Sequence, residues 1–312
     1  MLVDCQFSHN KLENQIILTT ACKLVKPIFD HLDVKTQKDR LQSERDALAS
    51  DLDGTLIPLP DTAQNEEDLI RLNKLREIHD FILIFATGRS FHSVLNAVEQ
   101  HALPMPDWII CNVGTSIYKK TEDSFFELSA YHEKLSEICG CIDRKKVEAT
   151  IKHLSKLKLQ PEENQSDFKI SYWCEEVDLQ DLVDQINEIQ QQESLPYSCL
   201  GSVDPFNKRG LIDILPNGVN KAYALDWLGH LLELAPDKIV YAGDSGNDLA
   251  ALVGGYASVL VGNATECLRS EVRELAKEQK NSGLCYFAKN VATSGVLEGM
   301  RHFNLAPEPE GI

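Results

Sequence analysis

Short runs rich in Ile, Val, Leu and Phe recur along the chain at FILIFA (81–86), DWIIC (107–111), KIVYAG (238–243), ASVLV (257–261) and LCYFA (284–288). Between them lie segments of helical periodicity at 65–79, 90–101, 220–234 and 265–280. Strands alternating with helices predict a parallel sheet covered on both faces. ALASDL, near residue 50, reads as one more buried strand. The middle of the chain differs. From 125 to 216, helical stretches at 144–159 and 178–192 alternate with FKISYW, LPYSCLG and GLIDILP, which mix apolar and polar residues. Antiparallel strands with one wet face have that pattern. The predicted architecture is α/β: a doubly wound parallel-sheet core from 46–124 and 217–312, with an α+β domain inserted at 125–216. Residues 1–45 hold one apolar stretch, IILTTACKLVKPIF, followed by the charged DVKTQKDRLQSERD. They read either as an arm packing on the core or on another subunit, or as partly disordered. The tail APEPEGI reads as a frayed end.

Charge narrows the function. The net charge of −17 over 312 residues argues against nucleic acid and against an anionic membrane surface, both of which need basic patches. No apolar run reaches the length of a membrane span, and the first residues lack the basic segment and apolar core of a signal peptide. Nine cysteines at irregular spacing include one close pair, Cys139-Gly140-Cys141, with no second pair to complete a zinc site. Reduced thiols in a cytoplasmic protein are the expectation.

In a doubly wound sheet, ligands bind beyond the carboxyl ends of the strands, so the polar residues that follow each apolar run carry the chemistry. Asp51 and Asp53 come first. Two apart on a strand, they point the same way, and two such charges cost free energy unless a cation or a shared proton relieves them. The later strands are followed by Thr87-Gly88-Arg89-Ser90, by Asn112-Val113-Gly114-Thr115 and by Asp244-Ser245-Gly246-Asn247-Asp248, and Lys221 opens a helix. Four carboxylates at one edge suit a hard cation such as Mg²⁺. Thr87, with the amides of Gly88 and Arg89 at a helix start, suits a phosphate. An ionised Asp can attack phosphorus, and a second carboxyl can protonate the leaving oxygen and then deprotonate water. Arg89 reads either as a substrate contact or as a helix-surface ion pair. Asn112 and Gly114 read as turn-shaping residues before substrate contacts, and Tyr172 and Trp173 as sheet-face packing before a sugar platform.

The set DLDGT, ATGRS, a helix-opening Lys and GDSGND resembles the haloacid dehalogenase superfamily of phosphatases. That resemblance implies Asp51 as nucleophile and Asp53 as general acid/base. It implies Thr87, Gly88, Arg89, Lys221 and Asn247 around the substrate, with Thr87 and Lys221 on the phosphoryl group. It implies Mg²⁺ held by Asp51, the backbone carbonyl of Asp53 and Asp244, with Asp248 and Asn247 in support. The insert then corresponds to a large α+β cap. RLNKLREIHDFILIFATGRSFHS, PDWIICNVGTSIY, FKISYW, DILPNGVNKAYAL and RHFNLAP are similar to the sucrose-phosphatase family across residues 47–307. The implied reaction is hydrolysis of sucrose 6-phosphate. Another disaccharide phosphate, a glycosyl-polyol phosphate, or a phosphomutase of the same fold are the alternatives. Partners implied are a sugar phosphate and, through residues 1–45, a sucrose-phosphate synthase-type enzyme or a second copy of the chain. Two departures stand out: Ala222 follows Lys221 where the family usually has Gly, and GSVDPFNKRGLID is longer than the family's short turn.

Overall fold

The computed structural model describes residues 45–307 apart from 61, 141, 143, 205 and 206. The segment 1–44 and the end of the tail lie outside the described residues, and so does the expected role of the N-terminal arm.

The chain enters at β1 (Ala47–Ser50) and runs through α1 (Ala63–Ile78), β2 (Ile82–Ala86), α2 (Phe91–His101) and β3 (Trp108–Cys111). β1, β2 and β3 are buried along their whole length, as strands covered on both faces must be. A hairpin of β4 (Ser116–Lys120) and β5 (Phe125–Glu127) follows, then α3 (Ser129–Cys139) and α4 (Arg144–Ile151). Next come β6 (Lys158–Leu159), β7 (Ile170–Cys174), α5 (Leu179–Gln192), β8 (Tyr197–Val203) and β9 (Gly210–Pro216). The chain returns through α6 (Lys221–Leu232), β10 (Ile239–Gly243), α7 (Leu249–Leu252), β11 (Ala257–Leu260), α8 (Glu266–Glu278), β12 (Cys285–Phe287) and α9 (Ala292–His302).

Two sheets result, ordered β12-β11-β10-β1-β2-β3-β4-β5 and β6-β7-β9-β8. The first six strands of the larger sheet are parallel, and β4 and β5 close its edge in antiparallel sense. Side chains alternate across it. Ala47, Ala49, Ile84 and Ile110 face Leu225 and Leu228 of α6 and Val272 of α8. Leu48, Leu83, Phe85 and Val259 face Leu72 of α1, Val94 of α2 and Met300 of α9. Helices on both faces make the core doubly wound, as the sequence pattern predicts. The chain leaves β1 toward β2 and later comes back to its other side as β10, so the strand order switches between β1 and β10. That switch point opens a crevice at their carboxyl ends.

Three local departures from the sequence reading have physical reasons. β5 pairs with β4 in the larger sheet, so residues 125–127 belong to the core sheet and not to the insert. The helix predicted over 144–159 stops at Ile151. Beyond it, Leu154 N–H donates to Ile151 O and Leu157 N–H to Leu154 O, three-residue turns that keep an apolar helix-like spacing without an α-helical ladder. α9, ATSGVLEGMRH, escapes the pattern because two glycines weaken its helical signal. Gly299 is required by close packing: a Cβ there would sit 2.2 Å from a Val259 methyl on β11.

Candidate active site

At the carboxyl end of β1, Asp51 N–H still donates to Ala242 O of β10 (2.9 Å), which fixes the residue on the sheet edge. The chain then turns sharply at Gly54, whose φ of +75° suits glycine. A Cβ at Gly54 would lie 2.3 Å from Asp244 Oδ2, so only glycine lets this loop close over the carboxylate that follows β10. Asp244 is aimed by two donors, Thr55 Oγ1 at 3.0 Å and Asn263 Nδ2 at 3.3 Å. Asn263 also donates to Gly54 O at 2.8 Å and accepts from Ala292 N–H at 2.9 Å, tying the loop to the start of α9.

Lys221 is fully buried at the first turn of α6, where Asn220 Oδ1 caps the helix by accepting from Tyr223 N–H. Its Nζ lies 3.0 Å from Asp51 and 2.8 Å from Asp248. Burial works against the ammonium charge, but Asp248 and Asp51 outweigh it and hold the Lys221 pKa above its usual value. Asp248 accepts at Oδ1 from Lys221 and from the Tyr241 hydroxyl. At Oδ2 it accepts from Asp244 N–H, Ser245 N–H and Ser245 Oγ. A carboxylate offers about four lone-pair sites, so Asp248 has none left for a cation. It anchors Lys221 and the 244–245 backbone instead.

Carboxylate oxygens of Asp51, Asp244 and Asp248 lie within 4.8 Å of one another. Burial, then the neighbouring carboxylates, push the Asp51 pKa well up against the pull of Lys221. Burial, then Asp248, push Asp244 up to about 7. One lysine does not balance this cluster. The open oxygens of Asp51 and Asp244, under a glycine loop with no room for a side chain, fit a small hard cation.

Beyond β2, Thr87 is buried and lines the same cavity as Asp51, and its Oγ1 accepts from Arg89 N–H at 3.2 Å. Arg89 lines the cavity and does not make its ion pair on the helix surface. Its Nε and Nη2 donate to the two oxygens of Asp53 at 2.7 and 2.6 Å, a bidentate pair inside the site, and Nη1 reaches Ser93 Oγ at 3.1 Å. Asn247 is half-buried and also lines the cavity, with Oδ1 3.1 Å from Ser245 Oγ.

The cavity, about 320 Å³, lies between these loops and the front of the four-stranded sheet. The register of β7 against β9 pairs Ser171 with Asp213 and Trp173 with Leu211, so these four share one face. Ile170, Tyr172, Ile212 and Ile214 take the other, in the same apolar cluster as Leu182 and Ile186 of α5. Packing is thus the role of Tyr172 alone. Trp173 faces the cavity, with the Arg209 guanidinium carbon 5.9 Å from its ring centre. Lys169, almost fully buried, lies 3.8 Å from Asp213 and donates to Gly88 O at 3.4 Å, bridging the insert to the Thr87–Arg89 loop.

The structure therefore brings together Asp51, Asp53, Thr87, Gly88, Arg89, Lys221, Asp244, Asn247 and Asp248. The sequence reading passes over Asn263, Tyr241, Lys169, Asp213 and Arg209. Asn263 was within reach, being a polar residue just after an apolar strand. Tyr241 sits inside such a strand, where its hydroxyl gives no sign in the pattern.

Residues 44–304 match the model of the family described as Sucrose-6F-phosphate phosphohydrolase. A probable sucrose-phosphatase 3a of Arabidopsis thaliana is 29% identical over 86% of this chain, which spans 62% of that protein's length. The mannosylfructose-phosphate phosphatase of Agrobacterium fabrum is 28% identical over 83% of this chain and 97% of its own. Among solved structures, the sucrose-phosphatase of Synechocystis sp. PCC6803 in complex with sucrose and phosphate superposes with a TM-score of 0.71. It is 26% identical and covers 84% of this chain and 99% of that one.

Proposed function

The chain belongs to the sucrose-6F-phosphate phosphohydrolase family, phosphoric monoester hydrolases of the haloacid dehalogenase fold, and from that premise we propose that it hydrolyses a disaccharide phosphate, foremost sucrose 6-phosphate, through an aspartyl-phosphate on Asp51. The observation that carries this reading is Asp51 itself: a buried carboxylate at the end of β1, held 3.0 Å from Lys221 and lining the cavity.

Asp51 attacks phosphorus, forming its bond to phosphorus as the bond to the sugar oxygen breaks. Asp53 gives a proton to that oxygen, and the sugar leaves as a neutral alcohol. Asp53 then takes a proton from water as the water oxygen attacks phosphorus, and the bond to Asp51 breaks to release phosphate. Thr87, the amides of Gly88 and Arg89, and Lys221 hold the phosphoryl oxygens and stabilise the charge they gain. Arg89 turns from Asp53 toward the substrate, which frees Asp53 to exchange its proton. Mg²⁺, held by the carboxylates of Asp51 and Asp244 and the backbone carbonyl of Asp53, would supply the positive charge that lets an anionic nucleophile approach an anionic ester.

The domain that carries the four-stranded sheet acts as the cap and reads the sugar. Trp173 offers an apolar ring face, and Arg209, Asp213 and Lys169 offer hydrogen-bonding groups around it. That combination suits a second glycosyl unit. The mannosylfructose-phosphate phosphatase relative favours a second reading, in which the chain prefers another disaccharide phosphate. The buried free thiols of Cys111, Cys139, Cys174 and Cys199 are in keeping with a reducing cytoplasm. Among the described residues no helix is long and apolar enough to cross a membrane.

Phosphate release from a panel of sugar phosphates with Mg²⁺ tests the reading. Sucrose 6-phosphate is expected to exceed fructose 6-phosphate and glucose 6-phosphate by at least ~10-fold in kcat/KM, roughly 1.4 kcal/mol of transition-state binding. A higher value for mannosylfructose phosphate would select the second reading. Equal efficiency on disaccharide and monosaccharide phosphates would remove both. Dependence on a bisphosphorylated sugar activator would point to a phosphomutase.

A further inference from the structure

Directly after β3, three consecutive residues adopt left-handed backbone: Asn112 (φ +53°), Val113 (φ +58°) and Gly114 (φ +98°). A β-branched residue avoids this region, and a buried one persists there only where its surroundings enforce it. Val113 is fully buried and Asn112 nearly so. None of the three lines the cavity. Each instead touches a part of the site that does. Asn112 N–H donates to Arg89 O at 2.9 Å, and Val113 N–H to Thr87 O at 3.0 Å, so the turn grips both ends of the Thr87–Arg89 loop. On its other side, a Cβ on Gly114 would stand 2.2 Å from Asn220 O and 2.9 Å from Lys221 N. The turn is therefore pressed against the backbone that starts α6 and carries Lys221. The Tyr131 hydroxyl of α3 donates to Gly114 O at 2.6 Å, and its ring packs 5.0 Å from Trp227 of α6.

We propose that the Asn112–Gly114 turn is the positioning element of the phosphoryl site, fixing the separation between the Thr87–Arg89 loop and Lys221. This rests on the phosphatase reading above. The spacing is set by backbone on both sides, by hydrogen bonds to one and van der Waals contact with the other. Backbone cannot rotate away as a side chain can, so any atom added between them moves Lys221 relative to Asp51. The strain in Val113 has the same origin, because a relaxed turn would not reach both.

Gly114→Ala tests this, with Gly299→Ala as its control. The control puts a Cβ at the same 2.2 Å from a neighbour, the Val259 side chain, two turns down α9 and away from the cavity. Turnover of p-nitrophenyl phosphate with Mg²⁺ and inhibition by orthovanadate and by inorganic phosphate are measured, with Tm, in the full chain. Both variants are expected to melt lower. Gly114→Ala alone is expected to lose ~100-fold in kcat, the scale of one misplaced electrostatic donor. It is also expected to weaken orthovanadate at least ~10-fold more than phosphate, since vanadate takes the transition-state geometry. Gly299→Ala should keep kcat and the vanadate-to-phosphate ratio within about twofold. A folded Gly114→Ala with both within twofold would make the turn merely structural and overturn the proposal. If that variant does not fold, Tyr131→Phe removes only the bond to Gly114 O. A kcat loss of about 5-fold with a raised vanadate-to-phosphate ratio supports the proposal, and no change in either overturns it. Turnover of p-nitrophenyl phosphate by the unaltered chain tests the phosphatase reading separately.

Discussion

Asp248→Asn changes one charge at the point where the site's only fully buried cation among the described residues is anchored. The carboxylate it replaces accepts from Lys221 and Tyr241 at one oxygen and from the Asp244 and Ser245 amides at the other. An amide has one acceptor oxygen, so in either orientation its NH₂ meets at least two donors. Breaking a buried pair costs about 3–5 kcal/mol, and because Lys221 keeps Asp51 at 3.0 Å the lower end applies, about 3 kcal/mol. For a chain of this size that is a fall in Tm of roughly 6–10 °C. Lys221, held from one side only, stabilises the phosphoryl group less well, and kcat is expected to fall by about 100-fold. Thermal melts and phosphate release on the same preparation measure both. Lys221→Met combined with Asp248→Asn separates the two effects. With the ammonium gone, the Tyr241 hydroxyl can accept from the new NH₂, so the double variant should melt above Asp248→Asn while remaining inactive. The coupling energy should reach at least about 1.5 kcal/mol. Additivity within about 0.5 kcal/mol, or a single variant within about 2 °C and threefold of the parent, would refute this account of Asp248.

Asp51→Asn is expected to fold and to lose turnover on every phosphate ester tested, because an amide is a poor nucleophile for phosphorus; folded circular dichroism with near-parental turnover would exclude Asp51. Asp53→Asn should lose far more activity on a sugar phosphate than on p-nitrophenyl phosphate, whose leaving group needs no proton, and equal losses would exclude the acid/base role. Asp244 is lifted from 3.8 to about 7, so without metal it contributes stability that is present below about pH 4 and lost as pH rises through 7. Mg²⁺ replaces that proton, so its gain in Tm should be larger at about pH 8 than at about pH 5.5, approaching about 2.7 kcal/mol at roughly 100 times its Kd; an equal gain at both pH values would contradict the site. Trp173→Ala should lower kcat/KM for a disaccharide phosphate by about 10-fold and leave monosaccharide phosphates within about twofold, as isothermal panels of initial rates will show.

The core was legible because parallel strands buried on both faces leave continuous apolar runs, and the polar residues at the carboxyl end of each run must face the ligand. Asp51, Thr87 and Asp244 come from that single rule. Helices of strong period, such as α5 and α8, are legible for the same reason. The rule fails where tertiary contact sets the structure. α9 is held by glycines that fit against β11, which no periodicity reports. Leu154 and Leu157 keep a helical spacing in a pair of tight turns. The pairing of Arg89 with Asp53 joins residues from two different strand ends, and no local pattern states which carboxylate a guanidinium will meet. In the insert, Tyr172 and Trp173 both read as sheet-face packing, yet Trp173 faces the cavity, because which face meets it depends on where the second sheet sits against the first. That is a property of the whole chain.

The proposed reaction makes Asp51 the covalently phosphorylated residue. Rapid quenching of the full chain with a sugar phosphate and Mg²⁺, followed by borohydride reduction, converts an acyl phosphate to the corresponding alcohol. Trypsin then releases a peptide spanning residues 46–71, which contains Asp51 and Asp53. Fragmentation is expected to place homoserine at Asp51, only in samples quenched during turnover and not in Asp51→Asn. Homoserine at Asp53, or phosphate released at full rate with no reducible carboxyl at any time point, would contradict the account.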